Sequence, residues 1–304
     1  MINTNFKSVI ELVKAFPDEQ TCINHLEQLR WNGNVLSPFD ETSKVYKCAG
    51  NKYKCKNTGK YFNVRTATLF DNTKIELQTW FVAIYLITGH KKGISSLQLA
   101  KDLNVTQKTA WFMAQRIRNC FGIENNHDLD NEVEADESFI GGKNKNRHAS
   151  KKVENSQGRS VKDKTPVLGM VERNGKLVAK AIANTQAETL TPEIINVVKQ
   201  SATIYTDEWM GYNSLQRIYD HAFIKHNQGE YVNGRVHTNT IENFWSLLKR
   251  GIIGIYHFTS KKHLQKYVDE FVFRYNTRDN SECTRFNLLL SNCTNRLTYN
   301  NLTK

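Results

Sequence analysis

Three acids occupy positions from which they can do chemistry together. Asp136 closes the run Val133-Glu134-Ala135-Asp136-Glu137, and Asp207 closes Thr203-Ile204-Tyr205-Thr206-Asp207. Both follow β-branched or apolar residues and read as strand-borne. Glu242 lies within His237-Thr238-Asn239-Thr240-Ile241-Glu242-Asn243-Phe244-Trp245-Ser246-Leu247-Leu248-Lys249-Arg250, the one acid on an otherwise apolar and basic helical stretch. Carboxylates are hard oxygen ligands. Two strand aspartates and a helix glutamate are what a two-metal phosphoryl-transfer site needs, with cations about 3.5–4 Å apart astride the scissile phosphate. No Ser or Tyr stands in a recognisable nucleophile setting, so a covalent enzyme intermediate is not implied.

Other residues near these acids compete for a role. On a strand, residues 134 and 136 share a face while 137 points the other way, so Glu134 is the better supporting residue. Glu137 and Glu208 flank the acids. Glu230 is a rival third acid, but Gln228-Gly229-Glu230-Tyr231 is turn-like and has no helix to fix it. Asn243 is a second rival; one helical step is about 100°, so it and Glu242 cannot both face the same ions. Lys249 follows Glu242 by two helical turns and falls on nearly the same face. With Arg250 it can bind a phosphate, the alternative being solvated helix charges. Trp245 reads as core rather than as a wedge against a base.

Composition sets the class of partner. Lys and Arg number 42 against 30 Asp and Glu, a formal charge of +12 in 304 residues. That balance favours a polyanion, with affinity drawn largely from counterion release at phosphates. No apolar run approaches the roughly 18–20 residues that span a bilayer, and the N-terminus lacks the regions of a signal peptide. Six scattered cysteines do not form a disulfide framework in a chain of this length. A reduced, cytoplasmic protein is expected.

The elements that must hold the acids follow from periodicity. Residues 1–30 carry two amphipathic helices, the first ended by Pro17. Residues 31–72 are loop-rich, with short strands at Lys44–Lys47, Lys52–Lys54 and Lys60–Val64 and a turn at Gly50-Asn51. Residues 73–123 are helical throughout: a helix from Ile75 to Leu86, another capped by Ser95-Ser96, and a third capped by Thr106. The last two form a helix-turn-helix, or else a hairpin that serves only as packing. Residues 124–131 read as a linker. Then come a strand (132–140), a hairpin (166–173 and 176–184, turning at Asn174-Gly175), a helix (187–200), a strand (202–206), a helix (209–219), a strand (221–226) and a helix (238–250). Three strands followed by alternating helix and strand, with acids ending the first and fourth strands, predict a ribonuclease-H-like α/β catalytic domain over 124–278. A basic insert, 141–165, carries Lys143, Lys145 and Arg147 and either clamps DNA or is merely solvated. Residues 279–304 are expected to be a C-terminal tail.

Four ordered strings carry a resemblance: Asp136-Glu137-Ser138-Phe139-Ile140-Gly141-Gly142; Tyr205-Thr206-Asp207-Glu208-Trp209; His237-Thr238-Asn239-Thr240-Ile241-Glu242 with Lys249-Arg250-Gly251; and Phe273-Arg274-Tyr275-Asn276-Thr277-Arg278. With 34 residues between Asp207 and Glu242, the chain resembles bacterial insertion-sequence transposases of the Asp-Asp-Glu type, in the group with an N-terminal zinc ribbon that is related to the eukaryotic Merlin elements. The resemblance implies DNA cleavage and strand transfer at the element's inverted repeats, with Asp136, Asp207 and Glu242 holding two Mg²⁺ or Mn²⁺ ions. It implies double-stranded DNA as partner; the basic residues read from the sequence as its contacts are Lys249, Arg250, Lys108, Arg116, Lys143, Lys145 and Arg147. It also implies a homodimer or larger assembly on DNA, associated with the nucleoid. Where the family's ribbon has two Cys-x-x-Cys pairs, this chain reads Ser37-Pro38-Phe39-Asp40 and Cys55-Lys56-Asn57-Thr58. Three of four thiolates are missing, so no zinc is expected and the module is a degenerate ribbon; Cys48, or Cys22 with His25, are conceivable substitutes, but their spacing fits no standard knuckle. The alternatives are a catalytically silent, transposase-derived DNA-binding regulator and a ribonuclease-H-like nuclease that hydrolyses without joining.

Overall fold

The computed structural model describes residues 5–142, 144, 148–154, 156, 160–225, 232 and 234–303. Lys143, Lys145, Arg147 and Glu230 lie outside the described residues. The chain divides into two compact units, Met1–Cys120 with Asp279–Lys304, and Phe121–Arg278. Among the described residues no helix is long and apolar enough to cross a membrane.

The first unit opens with α1 (Val9–Ala15) and α2 (Glu19–Trp31). Ser8 and Asp18 cap them by accepting the N–H of Glu11 and Thr21, which satisfies donors that the first helical turn leaves open. β1 (Val45–Cys48), β2 (Lys52–Cys55) and β3 (Tyr61–Phe62) form an antiparallel sheet. Its first hairpin turns at Gly50 and Asn51, both left-handed, with φ of 69° and 55°. Trp31, Tyr53 and Phe62 form its small core, with ring centroids 5.1–6.1 Å apart. α3 (Leu77–Gly89), α4 (Ser96–Leu103) and α5 (Gln107–Arg118) follow. Ser95 caps α4 and Thr106 caps α5, and Asn104 takes the left-handed conformation that lets the chain turn between them.

The second unit is a five-stranded mixed sheet built from β4 (Glu132–Ile140), β5 (Thr165–Glu172), β6 (Leu177–Ala181), β7 (Thr203–Asp207) and β8 (Asp220–Ile224), in the order β6-β5-β4-β7-β8. β4 and β6 pair antiparallel with β5, while β4–β7 and β7–β8 are parallel. The parallel pairs require crossovers. α6 (Ala187–Ile195) makes the first, and a 3-10 helix, Met210–Arg217, makes the second. Both elements are shorter than the helices expected at 187–200 and 209–219. α6 carries Pro192 and ends at Ile195, so residues 196–200 lie beyond the helix.

Alternation along the strands makes two cores. Val133, Ala135, Leu168, Met170 and Ile204 face α6 and the 3-10 helix, meeting Leu190, Ile194, Tyr212 and Leu215. On the opposite face lie α7 (Asn239–Gly251) and α8 (Leu264–Asn276). There Val167, Val171, Leu177 and Ala179 meet Ile241, Phe244, Leu248, Val268 and Phe271. Asn276, from the last of the four sequence strings, is buried and pins α8 to the sheet edge. Its side chain accepts the N–H of Leu177 at 2.8 Å and donates to the carbonyls of Leu177 (2.8 Å) and Glu124 (2.6 Å).

The chain ends in α9 (Glu282–Ser291) and α10 (Tyr299–Thr303), both in the first unit. The expected tail is therefore part of a core. Phe286 of α9 sits 5.2 Å from Phe6 and 5.5 Å from Phe81, and Phe16 closes the cluster 4.9 Å from Phe81. Its residues are few and far along the chain from their partners, so no local periodicity could reveal their destination.

Candidate active site

The face of the sheet under α7 assembles the acids. Because Val133 and Ala135 turn toward α6, Glu134 and Asp136 turn toward α7. β4 and β7 run in register with Glu134 opposite Tyr205, which brings Asp207 beside Asp136 one alternation further on. α7 crosses above them. A cleft of about 560 Å³ is lined by Asp136, Asp207, Glu242, Trp245, Lys249 and Lys164, among others. Glu242 and Lys249 share that wall, as two helical turns require. Arg250 is not on it; this residue is exposed and its Nε donates to the Ser246 carbonyl at 3.1 Å.

The acids are unequal. The Asp136 carboxyl is pushed up to about 7 by burial, then by the charges of Glu137 and Asp207, with the Trp245 N–H pulling the other way. Asp207 accepts the Trp209 N–H at 3.0 Å. Glu137 points to the opposite core, where the buried Tyr212 hydroxyl donates to it at 2.6 Å. Among the described residues no three His, Cys, Asp or Glu side chains converge into a finished metal centre. Chemically the donor set nevertheless suits hard divalent cations: three carboxylates face one cleft, and two of them repel each other in a way that a cation relieves.

Glu134 holds the helix rather than the cleft. It is fully buried, and its carboxylate accepts the N–H of Thr240 (2.8 Å), the N–H of Ile241 (3.1 Å), the Thr240 hydroxyl (2.9 Å) and Arg173 Nε (2.8 Å). Thr238 gives α7 no side-chain cap, so a strand carboxylate takes that place and meets the positive end of the helix dipole. Arg173 also donates to the His237 carbonyl at 3.0 Å and lies 4.3 Å over the Tyr205 ring. Sequence reasoning missed Arg173, which looks like an ordinary residue before the Asn174-Gly175 turn.

Within the first unit the two expected DNA contacts, Lys108 and Arg116, separate. Lys108 is exposed on the first turn of α5, its Nζ 5.4 Å over the Tyr299 ring. Arg116 is buried and donates to the carbonyls of Leu297, Leu69 and Asp71 at 2.9–3.0 Å. Its expected phosphate contact is corrected: this guanidinium is turned inward and spent on three backbone carbonyls.

The ribbon positions do not suit zinc. Cys55 is fully buried among the hydroxyls of Ser37, Ser43 and Thr58. Burial alone raises its thiol, but those hydroxyls and the Thr58 N–H outweigh it and bring it down to about 6. Asp40 is taken up by the neighbouring Thr42 hydroxyl (2.7 Å) and by Asn57 (2.8 Å), and the Asn57 bond joins the two halves. One thiol among hydroxyls is not a structural zinc donor set. Cys48 donates to the Tyr46 carbonyl, and His25 packs 5.0 Å from Phe16.

Comparison with known proteins returns one class. A family model described as an ISXO2-like transposase domain matches residues 128–276. An uncharacterized protein in transposable element ISH50 of Halobacterium salinarum is 29% identical over 278 residues, covering 86% of this chain and 92% of the relative. An uncharacterized transposase-like protein of Haemophilus influenzae is 31% identical over 105 residues, 34% of this chain and 84% of the relative. Among solved structures, a crystal structure of the Mos1 strand transfer complex matches 70% of this chain and 76% of that chain at 14% identity, with a TM-score of 0.27.

Proposed function

Since the chain belongs to the insertion-sequence transposases with an ISXO2-like transposase domain, we propose that it cuts DNA at the terminal inverted repeats of its own element and joins the freed ends to a target. Asp136, Asp207 and Glu242 are the catalytic acids in this reading. The observation that carries it is their common cleft: strand ends from β4 and β7 and one face of α7 turn three carboxylates and two lysines, Lys249 and Lys164, toward one space. The strand order and its mixed pairing support a ribonuclease-H-like reading of the second unit.

Divalent cations, Mg²⁺ or Mn²⁺, when bound supply the Lewis acidity that in-line phosphoryl transfer requires. The three carboxylates would hold them. Lys249 and Lys164 offer positive charge to the phosphate that enters beside them. In the first step water attacks a phosphodiester and the 3′-oxygen leaves as a hydroxyl. In the second, that hydroxyl attacks a phosphodiester of the target and displaces its 3′-oxygen, so the number of phosphodiester bonds is conserved. Recognition of the repeat falls to α4 and α5, read as a helix-turn-helix with Lys108 on a phosphate. Joining two ends requires two copies of the chain on DNA.

The test uses the full chain, a duplex carrying the inverted repeat that flanks its gene, and Mg²⁺. Nicked and strand-transfer products are expected from the native protein and none from Asp136→Asn, Asp207→Asn or Glu242→Gln. Activity retained in either aspartate variant overturns the assignment. Cut ends without joined product would leave a nuclease.

A further inference from the structure

Trp245 reads as an ordinary core residue, and by burial it is one, at 4% exposed. Its ring lies among Ile241, Phe244 and Leu248, on the face of α7 that packs against the sheet. An indole so placed still needs a partner for its N–H. The partner is not a backbone carbonyl of the sheet. Trp245 Nε1 donates to Asp136 Oδ2 at 2.9 Å.

The sheet makes room for that bond at one residue. Gly169 of β5 is the direct cross-strand partner of Asp136. By alternation it faces α7, between Val167 and Val171. A Cβ there would stand 2.7 Å from Cζ2 and Cη2 of Trp245 and 2.7 Å from Cδ1 of Ile241. Real side chains do not approach so closely, so any larger residue at 169 must lift the indole or the helix. Gly169 has no left-handed φ, so its backbone conformation does not demand glycine. The requirement is space for the ring that carries the donor.

We propose that Trp245 is a positioning residue for Asp136, seated against the sheet by the missing side chain of Gly169, and that it commits one carboxylate oxygen to the indole so the other is presented to the cleft in a fixed orientation. The proposal rests on the catalytic reading of Asp136, and it concerns that carboxylate's orientation rather than its identity as a ligand. A donor on a ligand's second oxygen restricts the rotation of the carboxylate, and removing such a partner typically costs about 10–100-fold in metal affinity or activity. The same helix carries Glu242 three residues earlier, so the indole also ties the glutamate's helix to the aspartate's strand.

Two measurements test it. In the full chain labelled at its five tryptophans, the indole N–H resonance that disappears in Trp245→Phe should shift in Asp136→Asn and broaden with substoichiometric Mn²⁺. Trp245→Phe, which keeps the ring and removes the donor, should raise the Mn²⁺ concentration for half-maximal cleavage by about 10-fold or more while its thermal midpoint stays near that of the native protein. Gly169→Ala should reproduce the Mn²⁺ effect by displacing the ring. If Trp245→Phe does not fold, the indole spectrum of Asp136→Asn decides alone: one resonance of the five moves, or the proposal falls. A dead Asp136→Asn beside a Trp245→Phe with native Mn²⁺ requirement overturns the inference and leaves the catalytic reading standing. An active Asp136→Asn overturns the catalytic reading itself, while the indole shift still reports the bond.

Discussion

Glu134 accepts the backbone N–H of Thr240 at 2.8 Å, so the strand that carries Asp136 also fixes the start of the helix that carries Glu242. Two residues along β4, Asp136 takes the Trp245 N–H from one and a half turns further up the same helix. α7 is thus held to β4 by two carboxylates on one strand face. The relative placement of the acids depends on these bonds as much as on apolar packing.

Removing the first of them should be costly. Glu134→Ala leaves the half-buried Arg173 without its main partner and two helix N–H groups without their acceptor. Breaking a buried charge pair costs about 3–5 kcal/mol, which urea unfolding would register. Glu134→Gln keeps an acceptor for the helix and should lose less. A change under about 1 kcal/mol in Glu134→Ala would mean that α7 is held by its apolar face alone.

The Asp136 carboxyl gives a pH signature. Its folded value, about 7, lies above the ordinary 3.8, so the folded state prefers the proton. A raised value contributes stability that is fully present below about 4 and lost as pH climbs through 7. In metal-free protein, Asp136→Asn should therefore exceed the native thermal midpoint by a gap that opens between pH 4 and 7 and stays constant above. The gap scales as about 2–4 °C per kcal/mol. Mg²⁺ should close it from the native side. A gap that does not depend on pH would contradict this origin.

Lys108 and Arg116 should part company. Lys108→Ala ought to leave stability unchanged and lower the slope of log affinity against log salt by about one unit. Arg116→Ala should instead destabilise by at least about 2 kcal/mol, because it strands three carbonyls in the interior. Equal loss of DNA affinity at unchanged stability for both variants would restore the paired DNA-contact expectation.

Zinc content tests the ribbon. Elemental analysis should find well under one zinc per chain, and a chelator should leave the unfolding midpoint where it was. Asp40→Ala, which removes the bonds to Asn57 and Thr42, should loosen the module instead. Stoichiometric zinc would mean that Cys48, Cys22 or His25 is recruited.

Much of the second unit is legible in the chain because its signals are local. Alternation at Val133 and Ala135 determines that Glu134 and Asp136 share a face, and helical period determines that Glu242 and Lys249 share another; both depend only on residues a few positions apart. The cap at Thr106 and the turn at Gly50-Asn51 are equally local. What no window of sequence contains is which surface meets which. Arg116 looks like a free cation until Leu69, Asp71 and Leu297 supply its acceptors from two distant segments. The last 26 residues look like a tail until Phe286 finds Phe6 and Phe81. Trp245 and Gly169 are unremarkable in isolation; their link to Asp136 needs strand register and helix packing together. Local stereochemistry chooses the elements and their faces, while long-range packing and the need to satisfy every buried donor and acceptor choose the partners.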